Sequence, residues 1–455
     1  MTDLTAWLPK AVGAIDAWQS EFGAFAQHPS LAVDDAALAI AFESLTARLR
    51  DNYPYFHPNY VGQMLKPPHP AAVLGYVTAM LINPNNHALD GGPATAAMEK
   101  DVVSRLASML GFTQHLGHLT SSGTIANLEA LYVARESHPG KAIAYSADAH
   151  YTHSRMCHVL AVEGIAVATD ARGRMDLDEL ESILATGRIG TVVATLGTTG
   201  LGALDPLPEV VALAREHGAR VHVDAAYGGF FALIADDSTD GVARAPFATI
   251  SDADSVVIDP HKHGLQPYGC GAVLFADPAV GRFYGHDSPY TYFTSDDLHL
   301  GEISLECSRS GAAAAALWLT LEVLPLTADG LGAALRPGRR GALEWHSLLT
   351  ECSSLAPYQA PELDIVTYLP RRSTMTYVDA ASAALFDAAA AAPPEQQVHI
   401  ALYSATSEQL QARGHQLEPD AARARILRSV VMKPESEPAI PSIHAHLESL
   451  TRTPA

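Results

Sequence analysis

From Gly92 to Ala276 the sequence alternates short apolar runs with stretches of helical spacing, and this alternation constrains the fold more than any other feature. The runs at 142–145, 165–168, 191–196, 221–224, 255–258 and 272–275 are rich in Val, Ile and Ala and carry few polar residues. Helical stretches at 94–109, 125–136, 177–184 and 207–217 surround or separate them. Strands that are apolar throughout are buried on both faces. The pattern therefore predicts an α/β fold, a mainly parallel sheet covered by helices on each side.

The flanks differ in character. Leu38, Ile40, Phe42, Leu45 and Leu49 mark the apolar stripe of an amphipathic helix. Between 51 and 70 the prolines Pro54, Pro58, Pro67, Pro68 and Pro70 stand among aromatics and histidines, so no regular element survives there. This segment is expected to be ordered against the body or bound to a partner. A helix over 71–82 stops at the turn signal Asn83-Pro84-Asn85-Asn86. A long alanine-rich helix over 311–324 ends at Pro325 and leads to a smaller α+β unit. That unit holds helices at 335–349, 381–391 and 443–450 and strands at 365–368, 398–403 and 426–432. The expected division is an N-terminal segment, 1–90, wrapping a partner, a large domain, 91–330, and a small C-terminal domain, 331–455.

Acidic residues outnumber Lys plus Arg by 50 to 29, a net charge of −21, which argues against nucleic-acid and anionic-membrane partners. Cys157, Cys270, Cys307 and Cys352 form no CxxC pair, which fits a reducing compartment and argues against a disulfide scaffold. The first residues lack the basic-then-apolar order of a secretion signal, and no apolar stretch is long enough for a bilayer. The expectation is a cytoplasmic protein. No HExxH, GxSxG or GxxxxGK[ST] occurs, so no catalytic metal, serine-hydrolase site or Walker loop is expected.

In open parallel sheets, ligands gather at the carboxyl ends of strands. Four signals stand at such ends. Ser122-Gly123-Thr124 opens a helix, whose free N–H groups can hold an anion; it also reads as a plain N-cap. His150 follows the run 142–145 and can stack on a ring or serve as a structural hydrogen-bonder. Asp224 ends an apolar strand and needs a cation, an N-cap role or a salt bridge. Lys262 follows the run 255–258 after Asp259-Pro260-His261, and a desolvated amine there is the nucleophile for a Schiff base; a solvent-facing loop lysine is the alternative. Gly197-Thr198-Thr199-Gly200 leaves another strand and can add hydroxyls to the same anion.

This order, with HVDAAYGG at 222–229 and DPHK at 259–262, resembles the pyridoxal-phosphate-dependent amino-acid decarboxylases of the aromatic and glutamate group, fold-type I. NPNN at 83–86, GTIANLEALYVAR at 123–135 and LECSRSGAAAAALW at 305–318 are most similar to the bacterial tyrosine decarboxylase branch. The resemblance implies a seven-stranded, mainly parallel sheet, pyridoxal 5′-phosphate as cofactor and a homodimer with shared active sites. It implies that Lys262 holds the cofactor, Asp224 pairs with its ring nitrogen and His150 stacks on its ring. Gly123, Thr124 and Thr199 would hold the phosphate with help from His261, and Ala226 would pack on the other ring face. Tyr290, with Tyr292 second, would be the acid that protonates Cα; the alternative for either is a surface aromatic.

The reaction implied is loss of carbon dioxide from an aromatic L-amino acid (tyrosine, DOPA, tryptophan or phenylalanine) to give the amine. Asn85, His87, Tyr292 and Arg309 are the candidate substrate contacts, and His263 is an open question for specificity. His87 departs from the apolar or aromatic residue common in the animal enzymes. An acidic substrate, aldehyde-forming decarboxylation–deamination, and a non-catalytic cofactor-binding protein are the other readings.

Overall fold

The structure, a computed structural model, describes residues 3–285 and 298–452; Tyr290 and Tyr292 lie outside the described residues. Seven strands form the large sheet: β1 Leu116–Thr120, β2 Ala142–Ser146, β3 Gly164–Val167, β4 Ile189–Thr195, β5 Arg220–Asp224, β6 Ser255–Ile258 and β7 Gly271–Phe275. Their spatial order is β1-β7-β6-β5-β4-β2-β3. Pairings from β3 through β6 are parallel, and β7 runs against both neighbours. The α/β class and the seven-stranded sheet agree with expectation. Strand β1 was not anticipated: LGHLT is short, carries a polar residue, and is ordered by pairing with β7 far along the chain.

The one reversed strand has a consequence for the site. Because β1 and β6 are both antiparallel to β7, they point the same way, with β2, β4 and β5. The carboxyl ends of these five strands therefore share one edge. Register sharpens this, since Thr195 pairs with Asp224, and Asp224 with Val257. Valine-rich β6 is buried throughout and ends before Pro260, which has no N–H to continue the ladder.

A second sheet, ordered β10-β11-β9-β8, contains β8 Leu355–Pro357, β9 Ile365–Pro370, β10 Ala401–Thr406 and β11 Arg423–Val430. The strand expected over 398–403 begins later, because His399 instead forms an isolated bridge with Tyr60 of the proline-rich segment. The main core fills one face of the large sheet and takes in Leu363, Ile365, Val430 and Met432, so the small unit is packed onto the large one; smaller clusters that include helix residues Ala126, Ala130 and Leu131 cover the other face.

Helix Asp35–Leu49 carries the expected stripe but buries none of its residues. Ile40 is 70% exposed and Phe42 61%. A further helix, Leu4–Ser20, in the N-terminal stretch expected to be helical, leaves Trp7 and Trp18 exposed.

Helices Pro70–Met80 and Gly311–Val323 approach closely at Gly75, where a Cβ would lie 2.8 Å from the Ala315 carbonyl oxygen and 2.9 Å from Ala316 Cα. Both atoms are backbone, so neither can move alone. Gly75→Val is expected to destabilise the protein by about 1–3 kcal/mol, measured by guanidinium unfolding.

Candidate active site

Five strand ends and one helix start line a single cleft. Ser122 caps helix Gly123–Ser137 by accepting the Ile125 N–H at 3.3 Å. That places Gly123 and Thr124 in the cleft wall, with His150, Thr199, Asp224, Ala226, His261 and Lys262. All eight expected cofactor contacts thus border one cavity, although they span residues 123 to 262. At Gly123 a Cβ would lie 2.5 Å from Asp259 Oδ2, so only glycine lets the helix start sit against that carboxylate.

Asp224 is 5% exposed, and its Oδ2 lies 2.8 Å from His153 Nε2. The Ala226 N–H donates to Oδ1 at 3.1 Å. Burial works against ionisation, but the His153 hydrogen bond and charge, with Lys262 and His222 nearby, outweigh it and hold the carboxyl well below the usual range. Asp224 is therefore an anion. His153 enters because helix Thr152–Val159 follows His150 directly. The sequence showed a histidine three residues after His150, and only the fold shows which carboxylate it meets.

Lys262 Nζ lies 3.1 Å from Asp259 Oδ2, a carboxylate the sequence reading did not place beside the amine. The turn that follows is strained. Leu265 adopts φ +62°, uncommon for a side chain of its size. The His69 N–H donates to its carbonyl at 2.9 Å, tying the turn to the proline-rich segment. His261 donates through Nδ1 to the Cys270 carbonyl at 2.7 Å, and burial lowers its pKa. Burial also lowers that of His150, whose Nδ1 accepts the Thr152 N–H at 3.2 Å.

Behind the wall, Asn127 Nδ2 donates to the Gly123 carbonyl at 2.9 Å, which leaves Oδ1 to accept from His222 Nε2 at 2.9 Å. His222, pushed down to about 3 by burial, is a neutral structural link. Thr199 lines the cleft, whereas Thr198 turns inward and accepts the Ala203 N–H at 3.0 Å.

The small unit braces this wall. Arg428 of β11 donates to the carbonyls of Thr199 at 2.6 Å and Gly200 at 3.0 Å. Asp364 accepts the Tyr227 hydroxyl at 2.5 Å and lies 3.3 Å from His263 Nε2. His263 is 1% exposed and edge-on to Tyr227 and Phe231, so it faces this network and does not border the cleft. Burial pushes Asp364 up to about 6 and Lys66 down to about 8.

Of the candidate substrate residues, the described ones, Asn85, His87 and Arg309, do not line this cleft. Asn85 Oδ1 accepts the N–H groups of His87 at 3.0 Å and Arg309 at 3.1 Å. Arg309 is committed to Glu99 at 2.6 Å, in a hollow next to the Lys262 cleft rather than in it. Among the described residues, His87 stands near Cys307, 3.8 Å from its sulfur.

Asp205 supports the cleft by accepting the N–H groups of Thr195 and Met175, each at 2.7 Å. Burial pushes its pKa up to about 7 from an ordinary 3.8. A raised folded pKa means that its contribution to stability is complete below about pH 4 and is lost as pH rises through 7. Asp205→Asn is expected to remove roughly 2–4 kcal/mol of that fall, read as the difference between variant and parent in guanidinium unfolding at pH 4, 5.5 and 8.

Residues 52–326 match the pyridoxal-dependent decarboxylase conserved domain. The chain is 26% identical to the L-tyrosine decarboxylase of Levilactobacillus brevis, over 72% of this chain and 69% of that one. It is 32% identical to a probable L-aspartate decarboxylase of Halobacterium salinarum, over 58% and 70% of the two chains. Mouse CSAD in its apo form superposes with a TM-score of 0.80 at 21% identity, covering 99% of each chain. Oryza sativa TDC with PLP and tryptamine also gives 0.80, at 18% identity over 99% and 97%.

The cleft suits a phosphorylated pyridine aldehyde. It offers an amine, an ionised carboxylate, an imidazole and a helix start. The buried atoms Thr195 Oγ1, Thr152 Oγ1 and Asp259 Oδ1, on residues that line the cleft, have no hydrogen-bond partner among the described residues. With the family match spanning more than half of its length, the chain belongs to the pyridoxal-dependent decarboxylases, enzymes that use pyridoxal 5′-phosphate to release carbon dioxide from amino acids.

Proposed function

We propose that this chain decarboxylates an aromatic L-amino acid to the amine. The observation that carries the reading is the convergence of Lys262, Asp224, His150 and the Gly123–Thr124 helix start in one cleft. The aromatic preference rests on its tyrosine decarboxylase relatives. The relative named for L-aspartate keeps an acidic substrate as the second reading.

When bound, pyridoxal phosphate supplies an electron-withdrawing ring that takes up the electron pair left by departing carbon dioxide. Lys262 would provide the amine that holds the cofactor's aldehyde carbon. Asp224, kept anionic by His153, matches a protonated ring nitrogen. His150, with its pKa lowered by burial, would present an imidazole to one side of the bound cofactor, and Ala226 would be small enough to admit the other. N–H groups of the helix start, with Thr124, Thr199 and His261, would hold the phosphate. Tyr290, or Tyr292, delivers the proton to Cα; as a general acid it accounts for about 10²–10⁴-fold in rate.

A screen of the common amino acids with added cofactor tests the reading. Carbon dioxide and amine are expected from an aromatic substrate; turnover confined to aspartate or glutamate selects the second reading. Lys262→Ala is expected to abolish both turnover and the cofactor's absorbance band. Tyr290→Phe should retain the band and lose amine output or divert it to aldehyde, and undiminished amine output overturns its role as the acid.

The same reading divides the chain into an arm, 1–90, a cofactor domain, 91–330, and a small domain, 331–455. It makes the protein a homodimer in which the arm covers the partner. The exposed apolar residues of the first two helices support this, since patches of that kind on soluble proteins mark contact surfaces. Among the described residues no helix is long and apolar enough to cross a membrane, and four unpaired thiols fit a reducing cytoplasm. Sedimentation is expected to show a dimer, and Ile40→Asp combined with Phe42→Asp to shift it toward monomer with loss of activity.

A further inference from the structure

The small unit contains a second group of chemistry-bearing side chains. Cys352, His444 and Glu448 bring one sulfur, one nitrogen and one oxygen within 4.8 Å of one another, and none of the three borders the Lys262 cleft. Cys352 terminates helix Arg336–Glu351. His444 and Glu448 stand one turn apart on helix Ile440–Arg452, a spacing that places both on the same helix face. The two helices pack through Trp345, Leu349, Ile440, Ile443 and Leu447.

His444 is 7% exposed, and its Nδ1 is buried with no hydrogen-bond partner among the described residues. A ring nitrogen in that position costs about 1–3 kcal/mol unless something binds it. Cys352 is 8% exposed, and its sulfur accepts the Leu355 N–H at 3.4 Å and lies 3.4 Å from Ser354 Oγ. Hydrogen bonds donated to sulfur support a thiolate ligand from the outer shell.

We propose that Cys352, His444 and Glu448 form a zinc site that pins the C-terminal helix to the end of helix Arg336–Glu351. The mixed S, N and O set suits zinc, whereas magnesium and calcium take oxygen shells. A thiolate and a carboxylate balance the 2+ charge, so the loaded site is neutral, as its apolar surroundings require. On binding, the Cys352 thiol releases its proton to solvent, and water completes a tetrahedral shell. Zinc–ligand lengths of about 2.0–2.3 Å imply ligand separations of roughly 3.3–3.8 Å. Side chains now within 4.8 Å therefore close by about 1.5 Å at most, through rotamer adjustment. The sequence hid the site because Cys352 is remote from the other two ligands and no metal-binding spacing links them.

The test is equilibrium dialysis of untagged holoenzyme, first stripped with chelator, against zinc alone, with metal counted per chain. One tightly held zinc is expected, with binding weakened more than ~10-fold in Cys352→Ser, His444→Gln and Glu448→Gln. Zinc should raise the thermal midpoint of the parent and not of these variants, while the cofactor's absorbance band stays unchanged. Glu448 is only partly buried, so Glu448→Gln folds even where a change at Cys352 does not. No retained zinc in the parent, or equal retention in parent and variants, overturns the proposal.

Discussion

The site depends on a charge that the fold buries at the end of a central strand. Asp224 sits in the middle of the large sheet, where an isolated carboxylate would protonate or unfold the surroundings. His153 prevents both by meeting Oδ2 at 2.8 Å. The rest of the wall is arranged around this pair. Parallel β4, β5 and β6 put Thr195, Asp224 and the Lys262 turn at one level, and the reversed β7 brings β1 and the Gly123 helix start to the same edge.

The small unit takes part in this arrangement. Arg428 holds the carbonyls of the Thr199 loop, and Asp364 reaches the segment after Asp224 through Tyr227 and approaches the one after Lys262 at His263. Movement of the small unit would therefore disturb both groups together. Lys66, drawn from the proline-rich segment, is half-buried within range of Asp364, so the N-terminal region shares the same polar network. Buried networks of this kind are rigid when satisfied and costly when broken.

The helix stripe at Leu38, Ile40, Phe42, Leu45 and Leu49 makes the opposite point. Its spacing was legible as amphipathic, but spacing says only that one face is apolar, not what covers it. Among the described residues of this chain nothing does.

The sequence by itself determined the strand–helix alternation, the ends of the buried strands and the residues that line the cleft. Val-Val-Ile runs stopped by proline, a Ser-Gly-Thr helix start and an aspartate ending an apolar strand are local signals with local physical causes. Tertiary structure alone decided the partners. Nothing in the sequence ties His153 to Asp224, Asp259 to Lys262, Arg428 to Thr199 or Asp364 to Tyr227. Each pair forms because strands and helices distant along the chain are brought together in space. The same holds for Arg309, whose pairing with Glu99 nothing in the sequence shows. A buried charge takes the partner that packing supplies, and packing is a property of the whole chain.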